Sequence, residues 1–391
     1  MPHLPLPKTS GQQRCASRPL AAINTMRAVA ISGVLLALVY CAAAASPRSR
    51  SSFDADWRFK LGPESPSGRA PPNSTSCAAG LPCDPAYDDS GWRSLSVPHD
   101  FVVEGTTVHG GEGGGGLLSN VSWYRKEFSL DASASEGRLV WLTFDGVFRN
   151  AVVYLNGALV MRHVEGYTSW TAYLHNSTAP LKFGSEKNVL AVFVDATEGE
   201  LWCYEGGGIF RHVWLETAGT ASIVPWGFYA PTLVNGTITG ANATAAQTVD
   251  SAIYLPRLDL QNAHSSKSIS ATVKFTLTSQ STGKIALTHT FPGVTIAPGG
   301  FQRVVPGPIG FGSAADPIEL WNTAAAPPLY TATATVLDGS TVLDELAVTI
   351  GVRSAVFDSQ KGFLLNGIKV QLMGTANHLG FGAVGMAVPD R

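Results

Sequence analysis

Two polar side chains near the end of the chain have the chemistry of a ligand-binding site. Asn377 and His378 follow an apolar run over residues 370–373 and a glycine at position 374. An amide and an imidazole both exchange hydrogen bonds with hydroxyl groups, and an imidazole can stabilise charge that develops during a reaction. We therefore take His378 and Asn377 as candidate substrate-binding residues. The simpler interpretation is that His378 only ties a loop together.

The elements before this pair predict how it is positioned. Two short apolar arms, 363–365 and 368–370, flank Asn366-Gly367, a dipeptide typical of a type I′ hairpin. Residues 370–373 then have the pattern of a strand that leads into a polar loop. A (β/α)8 barrel can begin in this way, and residues just past a barrel strand face the active site. We expect residues 353–391 to be the incomplete start of such a barrel.

Composition argues against a nucleic-acid partner and favours a mainly β fold. Charged residues make up 14% of the 391 positions and the net charge is −2, whereas an average protein has roughly 25% charged residues. No basic cluster lies outside the N-terminal segment, so we expect no nucleic-acid partner. Apolar residues at helical spacing are missing after residue 50, and short apolar runs between turn residues are frequent.

Two β regions are predicted before the C-terminal stretch. The first, residues 50–218, has the short strands and turns of a jelly roll: strands at 139–144, 189–195 and 209–215, and a hairpin at 150–162 around Asn156-Gly157. The second, residues 222–352, has the alternation of a β-sandwich. Its strands are predicted at 271–278, 284–290, 330–337 and 346–351, with a loop at 306–316.

Residues 1–45 are predicted to be an N-terminal extension with a signal peptide. Met26-Arg27 precede an apolar run that ends in small residues near Ala45, so we expect a secreted or extracytoplasmic protein. An uncleaved membrane anchor, an organelle transit peptide and a start at Met26 are the alternatives. Glycosylation sequons, which support a glycoprotein, occur at Asn73, Asn120, Asn176, Asn235 and Asn242.

Other polar residues carry weaker signals. Cys77 and Cys83 lie close enough in sequence for a local disulfide, although the spacing alone leaves free thiols open, and Cys203 is expected to be an unpaired, inert thiol. Asp100 is expected to bind nearby backbone N–H groups in a turn. Three glutamates in one loop could reach a sugar or a cation, or could simply be solvated: Glu198, Glu200 and Glu205.

Over most of its length the chain resembles glycoside hydrolase family 2, the β-galactosidase, β-glucuronidase and β-mannosidase family. The C-terminal stretch matches the opening of the family's barrel, with Gly362-Phe363, Leu365-Asn366-Gly367, Gly374, Asn377-His378 and Ala387-Val388-Pro389-Asp390. The first β region matches in order, with Tyr87-Asp88-Asp89, Gly91-Trp92-Arg93, Val97-Pro98-His99-Asp100, Trp123-Tyr124-Arg125-Lys126, Phe144-Asp145-Gly146-Val147 and Gly206-Gly207-Gly208-Ile209-Phe210-Arg211. The chain departs from many relatives at Leu379-Gly380, where they carry Gln-Asp or Glu-His.

The resemblance implies a fold and an activity. The fold would be a galactose-binding-like jelly roll, an immunoglobulin-like β-sandwich and the first strand of the barrel. The activity would be that of a β-galactosidase-like enzyme that hydrolyses terminal β-linked sugars with retention, using two glutamates on later barrel strands. The chain has no Asn-Glu dipeptide, and after residue 353 its carboxylates are Asp358 and Asp390. We therefore expect no catalytic residue in this chain and no activity from it alone.

The remaining expectations also come from the resemblance. The partner would be a β-linked oligosaccharide or glycoside. No cofactor is expected for this chain, with Mg²⁺ or Na⁺ as an option for a full-length enzyme, which would have the option of forming a homo-oligomer. Within the family, a β-glucuronidase or a β-mannosidase is the alternative. From a different class, the alternative is a non-catalytic carbohydrate-binding or assembly module.

Overall fold

The computed structural model describes residues 48–62, 75–105, 119–132, 138–198, 206–240, 246–377 and 380–390. Within these ranges the chain is built from β-strands, with short 3-10 helices at Val102–Glu104 and Leu174–Asn176. No helix in them is long and apolar enough to span a membrane. The mainly β fold predicted from the sequence is therefore confirmed. The predicted N-terminal extension lies outside the described residues, as do Asn73, Asn242 and Cys203.

The first sandwich, residues 48–218, has two antiparallel sheets. Its strands are β1 (Ser49–Ser52), β2 (Trp57–Leu61), β3 (Arg93–Leu95), β4 (Val121–Phe128), β5 (Leu139–Phe144), β6 (Ala151–Leu155), β7 (Ala158–His163), β8 (Trp170–Tyr173), β9 (Asn188–Asp195) and β10 (Val213–Ala218). The order is β1-β10-β5-β8 in one sheet and β3-β2-β4-β9-β6-β7 in the other. Asn156 and Gly157, with φ of 49° and 83°, form the predicted turn between β6 and β7.

The six-stranded sheet of this sandwich buries both of its faces. Alternate residues of a strand point to opposite faces, and in β4 Tyr124 belongs to the core between the two sheets while Trp123 belongs to a second apolar cluster. Residues 75–92 contribute Cys83 and Trp92 to that second cluster. Their position is fixed by the Cys77–Cys83 disulfide and by the buried Arg125, whose Nε donates to Asp89 Oδ2 at 2.8 Å.

The second sandwich, residues 221–352, has its own apolar core. Its strands are β11 (Ala221–Tyr229), β12 (Thr232–Val234), β13 (Ile238–Thr239), β14 (Thr248–Val249), β15 (Ala252–Tyr254), β16 (Arg257–Asn262), β17 (Ile269–Ser279), β18 (Ile285–Ile296), β19 (Phe301–Val304), β20 (Ile309–Phe311), β21 (Ile318–Glu319), β22 (Tyr330–Asp338) and β23 (Thr341–Ile350). The four-stranded sheet has the order β18-β17-β22-β23, and three short sheets, β11-β16-β19, β12-β15-β20 and β13-β14-β21, complete the region. In β17, Ala271, Val273, Phe275 and Leu277 alternate into the core, as the sequence pattern predicts.

A buried ion pair links the two sandwiches. Arg48, just before β1, donates from Nε and Nη2 to the two carboxylate oxygens of Asp344 in β23, at 3.0 and 2.7 Å. The Asp344 side chain is fully buried and also accepts the Ile223 N–H at 2.7 Å. The guanidinium lies 5.3 Å from the centre of the Trp141 ring. A charge removed from water needs such partners, so this contact fixes β1 against the second sandwich.

A three-stranded hairpin unit follows the second sandwich. It consists of β24 (Ala355–Asp358), β25 (Gly362–Leu365) and β26 (Ile368–Lys369). Asn366 and Gly367, with φ of 50° and 79°, form its second turn, which confirms the predicted hairpin. The buried Asn366 amide donates to Gln247 Oε1 and to the Trp321 carbonyl oxygen at 3.1 and 3.0 Å. The unit is therefore attached to the second sandwich.

Three local predictions are wrong. The strand predicted at 209–215 begins only at Val213, because the chain bends at Arg211 just before it. The loop predicted at 306–316 contains β20, which pairs with β15. The strand predicted at 370–373 does not form, since the described strands offer no partner for residues 371–373, and Leu372 and Met373 are exposed. The barrel itself stays a prediction.

Candidate functional site at the C-terminal segment

The C-terminal segment, residues 380–390, packs on loops of the first sandwich. Met386 is 4% exposed and belongs to the same apolar core as Phe101, Val102 and Ile209. The backbone N–H of Gly206 points at its sulfur atom, 3.0 Å away. This segment follows Asn377 within a few residues along the chain.

A single buried carboxylate holds the segment. Asp100 is 2% exposed, and its Oδ1 accepts the N–H groups of Val102 and Gly207, both at 3.0 Å. Its Oδ2 accepts the N–H of Met386 at 2.8 Å. Hydrogen bonds to a charged acceptor are among the stronger ones in proteins. The predicted structural role of Asp100 is confirmed, and the structure adds that it joins three segments distant in sequence.

The glycines at 206–208 are required by this close packing. A Cβ atom on Gly206 would lie 2.5 Å from Asp100 Oδ2 and 2.6 Å from the Met386 sulfur, and one on Gly207 would lie 2.6 Å from Phe101 Cζ. Gly208 has a positive φ of 114°, which other residues rarely adopt. The Gly-rich motif is therefore a packing surface for residues 100–102 and 386.

A histidine between two aspartates makes a second attachment. His212 Nδ1 lies 2.8 Å from Asp54 Oδ2, and its Nε2 lies 3.2 Å from Asp390 Oδ2. Burial alone would lower the pKa of His212, but hydrogen bonds and charges from Asp54 and Asp390 outweigh it and raise the pKa above its ordinary value. Asp390 itself is 88% exposed. This attachment is thus more accessible to water than the one made by Asp100.

A third polar group lies beside Asp100, around His99. Arg93 Nη2 donates to His99 Nε2 at 2.8 Å and to both oxygens of Glu104 at 3.0 and 2.8 Å. His99 Nε2 also lies 3.2 Å from Glu104 Oε1, and its Nδ1 lies 2.8 Å from the Tyr124 hydroxyl. Burial lowers the pKa of His99, although the charge of Glu104 and its hydrogen bond to the ring act in the opposite direction.

Known proteins resemble this chain in sequence and in fold. Over 367 residues the chain is 32% identical to the β-galactosidase BoGH2A of Bacteroides ovatus, an alignment that covers 88% of this chain and 36% of the relative. It is 26% identical over 367 residues to a β-glucuronidase of Formosa agariphila, with 88% and 34% covered. A β-glycosidase structure from Bacteroides vulgatus superposes with a TM-score of 0.67 at 28% identity, covering 87% of this chain and 38% of that one. The chain belongs to glycoside hydrolase family 2.

The match to this family concerns only part of the relatives. The chain spans about a third of their length, 36% and 34% for the two named above. A family 2 structure from Bacteroides cellulosilyticus, at 24% identity, shares the fold with a TM-score of 0.67 over 87% of this chain and 40% of its own. No protein-family model matches the chain.

Of the two predicted binding residues, the structure describes Asn377 alone. Asn377 is exposed and lies outside any strand, and His378 lies outside the described residues. Their role in substrate binding stays a prediction. Sequence reasoning missed the polar groups around His99 and His212. The Pro98-His99-Asp100 motif could have pointed to the first of them, whereas no local pattern signals that His212 meets Asp390.

Asp358 and Glu198, two carboxylates singled out in the sequence, each have their own local partners. Asp358 Oδ1 accepts the N–H groups of Gln360 and Lys361 in the turn after β24, both at 2.8 Å. Glu198 is 71% exposed and lies 3.5 Å from Arg149, and Glu200 and Glu205 lie outside the described residues. In the part of the chain that the structure describes, no three His, Cys, Asp or Glu side chains are grouped so as to hold a metal ion.

Proposed function

We propose that this chain forms the N-terminal, non-catalytic part of a β-galactosidase-type glycosidase that hydrolyses terminal β-linked sugars with retention. The observation that carries the proposal is the 32% identity to a β-galactosidase through 88% of the chain. Two β-sandwiches and a C-terminal segment held by Asp100 would then support a catalytic barrel. The substrate would be a β-linked oligosaccharide or glycoside, and the full-length protein is proposed to form a homo-oligomer.

The proposal includes that these 391 residues do not catalyse the reaction themselves. Retention needs two carboxyl groups about 5–5.5 Å apart. The carboxylates after residue 353 are Asp358 and Asp390, and both have other partners. Asp358 stabilises a turn through two backbone N–H groups, while Asp390 pairs with His212 on the first sandwich. Neither arrangement resembles a pair of catalytic carboxyl groups.

A galactoside is proposed ahead of a glucuronide or a mannoside. The β-galactosidase of Bacteroides ovatus is 32% identical to this chain and the β-glucuronidase of Formosa agariphila 26%. A glucuronide carries a carboxylate, whose recognition calls for a cationic partner such as arginine. Asn377, the candidate binding residue that the structure describes, is neutral, which suits a hydroxyl group better.

An extracytoplasmic location is part of the proposal. The Cys77–Cys83 disulfide is typical of oxidising compartments. Two predicted glycosylation sites, Asn176 and Asn235, are exposed. Both observations agree with the signal peptide predicted from the sequence.

Hydrolysis of aryl β-glycosides tests the proposed activity. The 391-residue chain and a version extended along its reading frame through a full barrel would be assayed with aryl β-galactoside, β-glucuronide and β-mannoside. We expect no turnover by the first, and turnover of the galactoside above the other two by the second. Turnover by the 391-residue chain, or an extended chain inert towards all three, would contradict the proposal.

A further inference from the structure

Three aromatic rings on one sheet of the second sandwich project into solvent. Trp226 is 70% exposed, Tyr229 58% and Phe301 74%. Single exposed apolar residues are normal on a protein surface, whereas a cluster of them marks a surface that contacts another molecule. The rings belong to the sheet formed by β11, β16 and β19, and the proposed catalytic activity does not use them.

The register of this sheet shows that two of the rings share its outer face. In β16, Leu258 belongs to the core, so Arg257 and Gln261, each an odd number of positions away, point to the opposite face. Tyr229 lies opposite Arg257, and Phe301 lies opposite Gln261. Residues that lie directly opposite each other point to the same face of a sheet. The rings of Tyr229 and Phe301 are therefore on the outer face.

A bulge in β11 exposes the third ring, that of Trp226. The register shifts between Ile223 and Phe228, so that four residues of β11 lie opposite the single residue Asp259. Trp226 has a φ of 62°, a conformation that bulky residues rarely adopt. Backbone strain of this kind is concentrated at sites with a function. The bulge thus exposes an indole ring beside the outer face instead of burying it.

The exposed aromatic surface is large enough for a protein interface. An aromatic side chain buries about 150–250 Å², so at their observed exposure the three rings present roughly 300–500 Å² per copy. A standard interface buries about 800 Å² on each partner. The rings would supply about half of such an interface, and tryptophan and tyrosine are enriched among the residues that dominate binding energy.

The charged residues of this face make it complementary to itself. Arg303 forks onto Asp259 at 2.7 and 3.0 Å, and the hydrogen bond from Arg303, together with the charges of Arg303 and Arg257, lowers the pKa of Asp259. Across a two-fold axis a surface faces its own copy, so a patch of one sign would repel itself. This face has charges of both signs, and the whole chain has a net charge of only −2. The charges therefore favour a second copy over a strongly charged partner.

We propose that the outer face of β11, β16 and β19 is the contact surface of a homodimer of this chain. Trp226, Tyr229 and Phe301 of the two copies pack together across a two-fold axis. The charged residues among them permit this contact but add little to the affinity, since exposed ion pairs contribute little. The inference gives a surface to the homo-oligomer that is part of the proposed function, but it rests on the exposed rings and not on the glycosidase activity.

Sedimentation velocity of the full 391-residue chain tests the proposal. We expect a concentration-dependent equilibrium between monomer and dimer, with a dissociation constant of about 100 µM or lower. Phe301→Ser should raise this constant about tenfold or more, because a central aromatic contact is lost. Phe357→Ser is the matched control, since Phe357 is 78% exposed but lies on β24, and it should leave the constant unchanged.

A second variant, Trp226→Gly, separates association from folding. Glycine readily adopts the positive φ of this position, so the variant should keep the native circular dichroism spectrum while its dissociation constant rises about tenfold or more. This variant decides the test if Phe301→Ser does not fold.

Three results would overturn the proposal. The first is a native chain that stays monomeric up to about 100 µM, or that associates beyond the dimer. The second is a dimer that Phe301→Ser and Trp226→Gly leave as stable as the native one. The third is a dimer that Phe357→Ser weakens as much as Phe301→Ser does. Hydrolysis by an extended chain is measured separately, so either proposal can fail without the other.

Discussion

The two sandwiches share an architecture but differ in what their polar residues do. In the first, buried polar groups such as Asp100, His99 and Arg125 connect loops that are distant in sequence. In the second, the core follows the simple alternation seen in β17, and its fully buried carboxylate, Asp344, serves to hold Arg48. The first sandwich therefore carries the contacts that position the C-terminal segment, and the second acts as its support.

The largest expected effect tests the link between the two regions. Asp344→Ala would leave the Arg48 guanidinium, whose side chain is only 11% exposed, without its main partner. Removing one partner of a buried ion pair costs about 3–5 kcal/mol of unfolding free energy. Urea unfolding followed by circular dichroism would measure this loss.

The exposed Asp259–Arg303 pair is the matched control for that experiment. Asp259→Ala should cost no more than about 1 kcal/mol, since exposed ion pairs contribute little. If Asp344→Ala were as mild as Asp259→Ala, the second sandwich would not support the first through this contact.

A smaller effect should be confined to the first sandwich. Reduction of the Cys77–Cys83 disulfide opens a short loop, and the loop-entropy relation gives a destabilisation of roughly 2 kcal/mol. Hydrogen exchange measured by mass spectrometry, with and without reductant, would show faster exchange in residues 75–92 and in β4. Faster exchange in β17 or β22 would contradict the independence of the two cores.

The smallest expected effect is a pH dependence of the contact between His212 and Asp390. The raised pKa of His212 means that its charged form stabilises the folded state. That contribution is complete below the ordinary histidine value near 6.5 and is lost as pH rises through the raised value. Because Asp390 is 88% exposed, the contribution should not exceed about 1 kcal/mol.

Hydrogen exchange of residues 386–390, corrected for intrinsic rates, would measure this dependence. Protection should fall as pH rises from below about 6.5 through the raised pKa of His212, and His212→Gln should abolish the trend. A protection that rises with pH in the native chain would show that His212 does not help to hold the segment.

Local sequence patterns predicted the strands and turns well. A type I′ turn needs positive φ at both central residues, and Asn-Gly adopts such values more readily than most dipeptides. Asn156-Gly157 and Asn366-Gly367 were therefore sufficient to predict both turns. The alternation of β17 and β22 likewise identifies a buried face. The apolar run 370–373 misled because a strand also needs a neighbour with which to pair, and that requirement is not visible in the run itself.

The contacts of the candidate site could not be predicted in the same way. The turn role of Asp100 follows from its neighbours, but its bond to Met386 joins residues 286 positions apart. The same holds for His212 with Asp390, and for Arg93 with the ring of Phe59. Such contacts depend on how the loops fold together in space, which the spacing of residue types does not encode.

Hydrogen exchange in Asp100→Asn tests most directly the claim that the first sandwich holds the C-terminal segment. The neutral amide cannot replace a carboxylate that accepts three backbone N–H groups, so exchange at Gly207 and Met386 should rise about tenfold to a hundredfold. Exchange in β17 and β22 should stay unchanged. If the amides of Gly207 and Met386 remained as protected as in the native chain, the segment would be held by something other than Asp100, and the account would be wrong.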